Sequence, residues 1–494
     1  MNKTKLSLAL AGALLFPIAG AAFAQSAPAG GDTDQSSAKQ LQTITVTGSA
    51  LPRVDVETPS PVTVISAQQI ERSGLTTISD VIRSISADNS GTIPNAFGNG
   101  FAAGASGVAL RGLTVNSTLV LIDGHRNASY AVTDDGQRSF VDLNTIPIAA
   151  VDRIEVLKDG ASSLYGADAI AGVVNVILKS SYKGLQGTAD VGTSAHGGGT
   201  TKKGTLLIGG GDLQTDHYNA YFSANYEKDD AIWNHQRGFP YNTNDLSSRG
   251  GENLNVGRPG NTNGSVVGSV TPGTLGVPGN LLTGVPDSGA LVQPLGMCNQ
   301  STMLTSTSAG TTCSQNIVNQ YGQGSLPLET GGLYGRFTVK INDDTTAYMS
   351  ASYDEAKSST NGNPAQIETS SPVNTSHIAL PINVPNPATG GTMLNPNNPF
   401  AAQGKYALIN YAFGDIPAGN NYDNHNVRLV GDVAGVAGDW NYDAALVINH
   451  TWLNTDQSGF IDYNALLTAV TNGTYNFLNP SANTAAQRAA LAPG

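Results

Sequence analysis

Only two cysteines, Cys298 and Cys313, and three tryptophans occur in 494 residues, and 25 Lys and Arg face 37 Asp and Glu, for a formal net charge of −12. So few cysteines exclude a small scaffold held by a dense set of disulfides. The acidic balance excludes a nucleic-acid binder, which needs a basic face; acidity in itself concerns solvation rather than fold. Long apolar runs are scarce too. After residue 22 none approaches the ~20 residues of a spanning helix, so membrane residence would have to come from strands.

Catalytic patterns are equally absent. The histidines His125, His196, His217, His235, His377, His425 and His450 are scattered without metal-ligand spacing. Gly160-Ala161-Ser162-Ser163 lacks the Gly-x-Ser-x-Gly spacing of a nucleophile elbow, and its serines are read as the start of a short helix. No Gly-x-x-x-x-Gly-Lys loop is present to cradle a phosphate. The reading is a non-enzyme with no catalytic residue, no cofactor, no metal site and no nucleic-acid partner.

What the chain has in quantity is glycine and tyrosine, 58 and 17 residues, which suit turn-rich strands and aromatic belts. Its start fits a secretory signal: Lys3 and Lys5, an apolar stretch from Leu6 to Ala22, and Ala22-Phe23-Ala24 as a cleavage site, with cleavage expected after Ala24. Export through an oxidising compartment favours a disulfide between Cys298 and Cys313, unlinked thiols being the alternative. Residues 25–40 are polar and small, as in a disordered lead. Leu41–Gly48 then forms a short β-prone run.

From Pro61 the elements alternate. Pro61–Ile65 is expected to be a strand, and Ser66 caps a helix with Gln69 three residues on, as in a capping box; Gly74 stops it. A second helix around Ile78–Ile85 would bury Ile78, Val81, Ile82 and Ile85 on one face. Strands are expected at Val108–Leu113, Leu119–Ile122, Arg153–Leu157 and Gly172–Leu178. Beyond Lys183 the period becomes two. Tyr218, Ala220, Phe222, Ala224 and Tyr226 alternate with Asn219, Tyr221, Ser223, Asn225 and Glu227, a lipid face against a wet one. Thr346–Ala356 repeats the scheme, as does Asp439–Trp452 with Trp440 and Trp452 near its ends. Strands near 186–194, 203–210, 217–228, 333–341, 346–356, 424–433 and 439–452 leave tight turns at Asn342–Thr345 and Ala434–Gly438. The links 229–332 and 357–423 are long and polar, the asymmetry of an outer-membrane barrel.

Ala150–Lys179 (AVDRIEVLKDGASSLYGADAIAGVVNVILK), Leu110-Arg111-Gly112-Leu113, Thr118–Arg126 and Ile146–Val156 resemble the plug domain of TonB-dependent outer-membrane receptors. Leu41–Gly48 resembles the TonB box. The resemblance implies an α+β plug domain followed by an antiparallel transmembrane β-barrel. The expected domains are 1–24 signal peptide, 25–52 periplasmic segment with the TonB box, 53–182 plug and 183–494 the N-terminal portion of the barrel. It implies that Thr43, Ile44, Thr45, Val46 and Thr47 pair as an added strand with TonB, which works with its inner-membrane ExbB/ExbD energising complex. It further implies that Arg111, Arg153 and Glu155 lock the plug in the barrel through buried ion pairs. Phe97, Phe101, Arg126, Tyr130, Arg138 and Phe140, on the plug loops Asn89–Gly107 and Arg126–Phe140, would meet an anionic, partly apolar solute.

The implied protein sits in outer-membrane lipid, plug toward the periplasm and long loops outside the cell. It imports a scarce solute such as a ferric siderophore, a carbohydrate or cobalamin being alternatives, as is a surface barrel that does not transport. Barrels of the family have about 22 strands and this chain supplies about seven, so it is read as truncated, a self-contained smaller barrel being the alternative.

Overall fold

The computed structural model describes residues 62–493 apart from 76, 89, 99, 244, 253–267, 282, 296–303, 308–309, 314–315 and 368–377. The signal segment, Thr43–Thr47 and Cys298 lie outside the described residues. Cys313 ends a short strand, Gly310–Cys313, opposite Leu304.

The first domain is built as its sequence dictates. Strand β1 (Val62–Ser66) runs into α1 (Ala67–Ser73) through the expected capping box: the Gln69 amide donates to Ser66 Oγ at 3.3 Å and the Ser66 amide to Gln69 Oε1 at 2.8 Å. Gly74 closes the helix at φ 69°, a left-handed turn that favours glycine. Helix α2 (Ile78–Arg83) buries Ile78, Val81 and Ile82, with Ile85 packed just past its end. Four more strands follow: β2 (Thr118–Ile122), β3 (His125–Arg126), β4 (Val151–Leu157) and β5 (Gly172–Leu178). They pair in the order β1-β4-β5-β2-β3, with β2 and β5 parallel and the rest antiparallel. Between β4 and β5, Ser162–Tyr165 forms the expected short helix α3.

One expected strand is absent. Leu110–Gly112 is a tight helical turn in which Arg111 (φ 56°) and Gly112 (φ 71°) reverse the chain, while the Arg111 guanidinium donates to the carbonyls of Ala171 at 3.0 Å and Ile170 at 2.6 Å. These bonds hold a conformation that apolar patterning does not encode.

The second region is a seven-stranded antiparallel meander: β6 (Gly184–Gly192), β7 (Thr201–Gly210), β8 (Tyr218–Asp229), β9 (Leu328–Asn342), β10 (Thr345–Asn361), β11 (Gly419–Ala437) and β12 (Trp440–Ser458), each paired with its neighbour in sequence. The last four outrun the sequence expectation at the long-loop end. Their Ser, Asn and Gly ends lack apolar alternation yet keep the ladder. Among the described residues β6 and β12 are edges, so the sheet is not closed.

The long links are not mere loops. Strands Ser269–Leu275, Gly284–Pro286, Ile378–Leu380 and Tyr406–Ala412 form a separate small sheet. It shares an apolar core with helix Tyr463–Asn472, in which the rings of Tyr411, Phe413, Tyr475 and Phe477 meet largely edge to face. No described helix is long and apolar enough to cross a membrane, which does not bear on crossing by strands.

Candidate functional site

Period two gives the meander two opposite faces, and register shows what each carries. On the outward face Ile208, Phe222, Gly335, Ala351, Leu429 and Ile448 form one row across six strands, without a polar side chain. Six residues further along, about 20 Å of strand, the matching row is Lys202, Lys228, Glu329, Lys357, Asp423 and Asn454. Tyr226, Tyr353 and Trp452 lie between the two. Large apolar side chains on this face stand open, Met349 at 70% and Leu446 at 69% exposure. An apolar band bounded by aromatics and then by charges is the outside of a membrane barrel.

The inward face is polar, buried and occupied by the first domain. Arg336 (β9) donates to Asp123 Oδ2 at 2.8 Å and lies over the Tyr348 ring. Burial raises the Asp123 carboxyl pKa, and the Arg336 guanidinium opposes that rise. Arg428 (β11) donates to the Ile122 carbonyl at 3.2 Å, and His125 Nε2 lies 2.8 Å from Asp432 Oδ2. The Tyr221 hydroxyl donates to Lys179 O at 2.7 Å, and Leu207, Tyr221 and Tyr334 complete the plug's apolar core. The end of β2 and the turn after it therefore form the seam between domain and wall.

Arg111, Arg153 and Glu155 do not form the ion pairs of this seam. Arg111 faces Asp159 at 3.7 Å, and Arg153 pairs with Glu155 at 2.8 Å and Asp152 at 2.9 Å, all within the plug. Asp123, His125, Arg336, Arg428 and Asp432 went unnoticed in the sequence. They come from the turn after β2, from β3, from β9 and from β11, segments up to 307 residues apart in sequence, and only the packing of the plug on the wall brings them together. Two clusters with metal-ligating side chains close together also join residues of different strands, His125 with Asp432 and Asp443, and Glu355 with Asp423 and His425.

The six proposed solute contacts divide. Tyr130 and Phe140 are buried and stacked, centroids 5.5 Å apart, inside the plug. Arg126 is tied to Asp168 and the Tyr165 carbonyl, both at 2.6 Å, away from the others. Arg138 pairs with buried Asp134 and with Asp135, and its guanidinium sits 5.8 Å from the Phe97 ring centroid. Phe101 is 56% exposed beside them, its amide donating to Asp134 Oδ1 at 3.1 Å. Gly100 (φ 95°) makes this knot possible, since a Cβ there would stand 2.3 Å from Asp134 Oδ1. Phe97, Phe101 and Arg138 thus form one corner, Tyr130 and Phe140 belong to the buried apolar cluster against which Phe97 packs, and Arg126 is held by other partners.

Comparison with known proteins agrees with this architecture. The family described as TonB-dependent Receptor Plug Domain matches residues 54–173. The iron-regulated outer membrane virulence protein of Vibrio cholerae is 28% identical over 193 residues, 39% of this chain and 26% of its own length. The vitamin B12 transporter BtuB of the same species is 29% identical over 228 residues, 44% of this chain and 33% of its own. The chain thus spans about a third or less of these relatives. Among solved structures, the ferric enterobactin receptor of Pseudomonas aeruginosa covers 81% of this chain and 42% of its own at 16% identity and TM-score 0.40. The ferripyoverdine receptor of that organism covers 83% and 44% at 14% identity and TM-score 0.37. The first domain thus belongs to the plug-domain family of TonB-dependent receptors, a family of outer-membrane proteins, and it is seated on the polar face of an antiparallel sheet.

Proposed function

We propose that this chain is the plug-bearing part of an outer-membrane receptor that actively imports a scarce solute, with a ferric siderophore as the preferred class. The observation that carries the reading is the seam of Asp123–Arg336, Ile122–Arg428 and His125–Asp432, which seats the plug on the face of the wall turned away from lipid. A transporter built this way blocks its own channel, so solute passes only when the plug is remodelled. Thr43–Thr47 would offer TonB an extended strand to pair with, and the ExbB/ExbD complex would supply the energy for the pull. The long-link side faces outward from the cell and the tight turns face the periplasm. Cys298 and Cys313 close a loop on the outer side.

The solute class rests on an iron-regulated relative and on the Phe97, Phe101 and Arg138 corner, where aromatic and guanidinium groups suit an aromatic, anionic chelate. The cobalamin transporter among the relatives supports a second reading. The test is uptake by cells that depend on this gene, supplied in turn with ferric siderophore, cobalamin or a maltooligosaccharide. Siderophore uptake lost on deleting Gln42–Gly48 supports the proposal. Uptake of cobalamin alone would move it to the second reading, and no gene-dependent uptake of any solute would overturn it.

A further inference from the structure

The wall carries a buried carboxylate with no positive partner. Asp354, on the inward face of β10, is 3% exposed, and its Oδ2 has no hydrogen-bond partner. Its hydrogen-bonding neighbour is Ser352, and the charge that reaches it is another negative one, Asp142 of the plug. Register puts Asp354 in one row with Gly332 of β9 and Asn225 of β8. A Cβ built on Gly332 would lie 2.5 Å from Asp354 Oδ1 and 2.6 Å from Asn225 Oδ1, so both oxygens converge against the glycine, where any side chain would displace them. On β11, where Asn426 stands opposite Asp354, Asn424 lies two residues along on the same face; also 3% exposed, it donates through Nδ2 to Asp142 Oδ2 at 3.2 Å and leaves its own Oδ1 buried without a partner.

Two buried carboxylates, two amide oxygens and no paired base define a chemistry. The donors are all oxygen, without thiolate or imidazole, and oxygen donors select hard cations over zinc or copper. The local charge calls for a positive counterpart that no side chain supplies. We propose that Asp354, Asn225 and Asn424 form a site for a hard divalent cation of the calcium type, seated over Gly332 between wall and plug. Asp354 supplies the anionic ligand, the two amides neutral ones, and water completes the shell. The neighbouring Asp142 is neutralised through space, so the cation draws plug and wall together where the arginine seam does not reach. The site is independent of which solute is carried, and of whether any is.

The test uses the full chain in detergent micelles, with calcium or chelator, and terbium as a luminescent calcium probe. Calcium is expected to raise the thermal midpoint by several degrees over chelator, and terbium to titrate a single saturable site that calcium displaces. Asp354→Asn, which keeps shape and removes charge, should abolish both responses, and Gly332→Ala, which displaces both oxygens, should do the same. Asn225→Asp should tighten binding about tenfold by adding a charged ligand. A wild-type midpoint indifferent to calcium would overturn the proposal. So would an undiminished calcium response in Asp354→Asn, or an Asp354→Asn chain in chelator that melts above the wild type and shows no change in terbium binding. If Gly332→Ala does not fold, Asp354→Asn and Asn225→Asp decide the matter alone.

Discussion

The plug and the wall solve the burial problem in opposite senses. In the plug, Ile82, Ile154, Val156 and Val174 are fully buried, while Arg83 and Asp80 pair half-exposed on its surface, as in a water-soluble domain. In the wall, Met349 and Leu446 stand open while Arg336, Arg428, Asp354 and Asn426 are among the buried residues. The plug strands β2 and β5 are buried along almost their whole length on both sides, whereas the wall strands alternate because lipid meets one of their faces. A surface that would be an aggregation hazard in water is the ordinary outside of a barrel in lipid. The plug's polar edge then becomes the wall's inner partner.

The difference can be broken most severely at the seam. Arg336→Ala leaves Asp123 buried against the wall without its guanidinium, which should cost ~3–5 kcal/mol. The urea midpoint should fall accordingly, and Asp123→Asn in the same chain should recover much of the loss. Next comes the lipid face. Met349→Arg should cost about 2–4 kcal/mol in a bilayer near its midplane, whereas Leu164→Arg at an open plug position should shift stability by less than ~0.5 kcal/mol. Equal costs would erase the distinction between the two surfaces.

A titration sharpens it further. Burial pushes the Asp142 carboxyl up to about 6 from 3.8, although the amides of Ser106 and Asn144 and the Asn424 side chain donate to it. The folded chain therefore holds this proton more tightly than the unfolded chain. Its stabilisation is complete below the unfolded value near 4 and is lost as pH rises through about 6, by roughly 3 kcal/mol. In chelator, Asp142→Asn should flatten the fall in stability between pH 4 and 6; an unchanged slope would remove Asp142 as its source. The smallest effect belongs to the plug alone. Ser66→Ala breaks the α1 capping box and should cost about 1 kcal/mol, whether or not lipid is present.

Local signals carried much of this fold. The Ser66 and Gln69 cap, the Gly74 stop and the apolar positions of α2 are each set by neighbours a few residues away. The period-two runs marked all seven wall strands, because lipid on one side and plug on the other sort side chains cleanly. The Leu110–Gly112 turn is not legible because its cause, the Arg111 bonds to Ala171 and Ile170, spans 60 and 59 residues. The folded long links were missed because their core comes from short apolar runs such as Ala407–Phe413 inside tracts rich in Gly, Asn and Pro. The seam was illegible for the same reason: Asp123 and Arg336 lie 213 residues apart. Tyr130 and Phe140 looked like ligand contacts because an aromatic on a loop gives no sign in sequence of whether it faces out or stacks inward.

The central claim is that one face of the meander meets lipid and the other meets the plug. A nitroxide scan from Ala347 to Asp354 in bilayers, on a chain carrying Cys298→Ser and Cys313→Ser, tests it most directly, with membrane-soluble oxygen as the collision partner. The account predicts a period of two, with high oxygen accessibility at Ala347, Met349, Ala351 and Tyr353 and low accessibility at Tyr348, Ser350, Ser352 and Asp354. Uniform accessibility along the strand, or maxima on the second set, would contradict it.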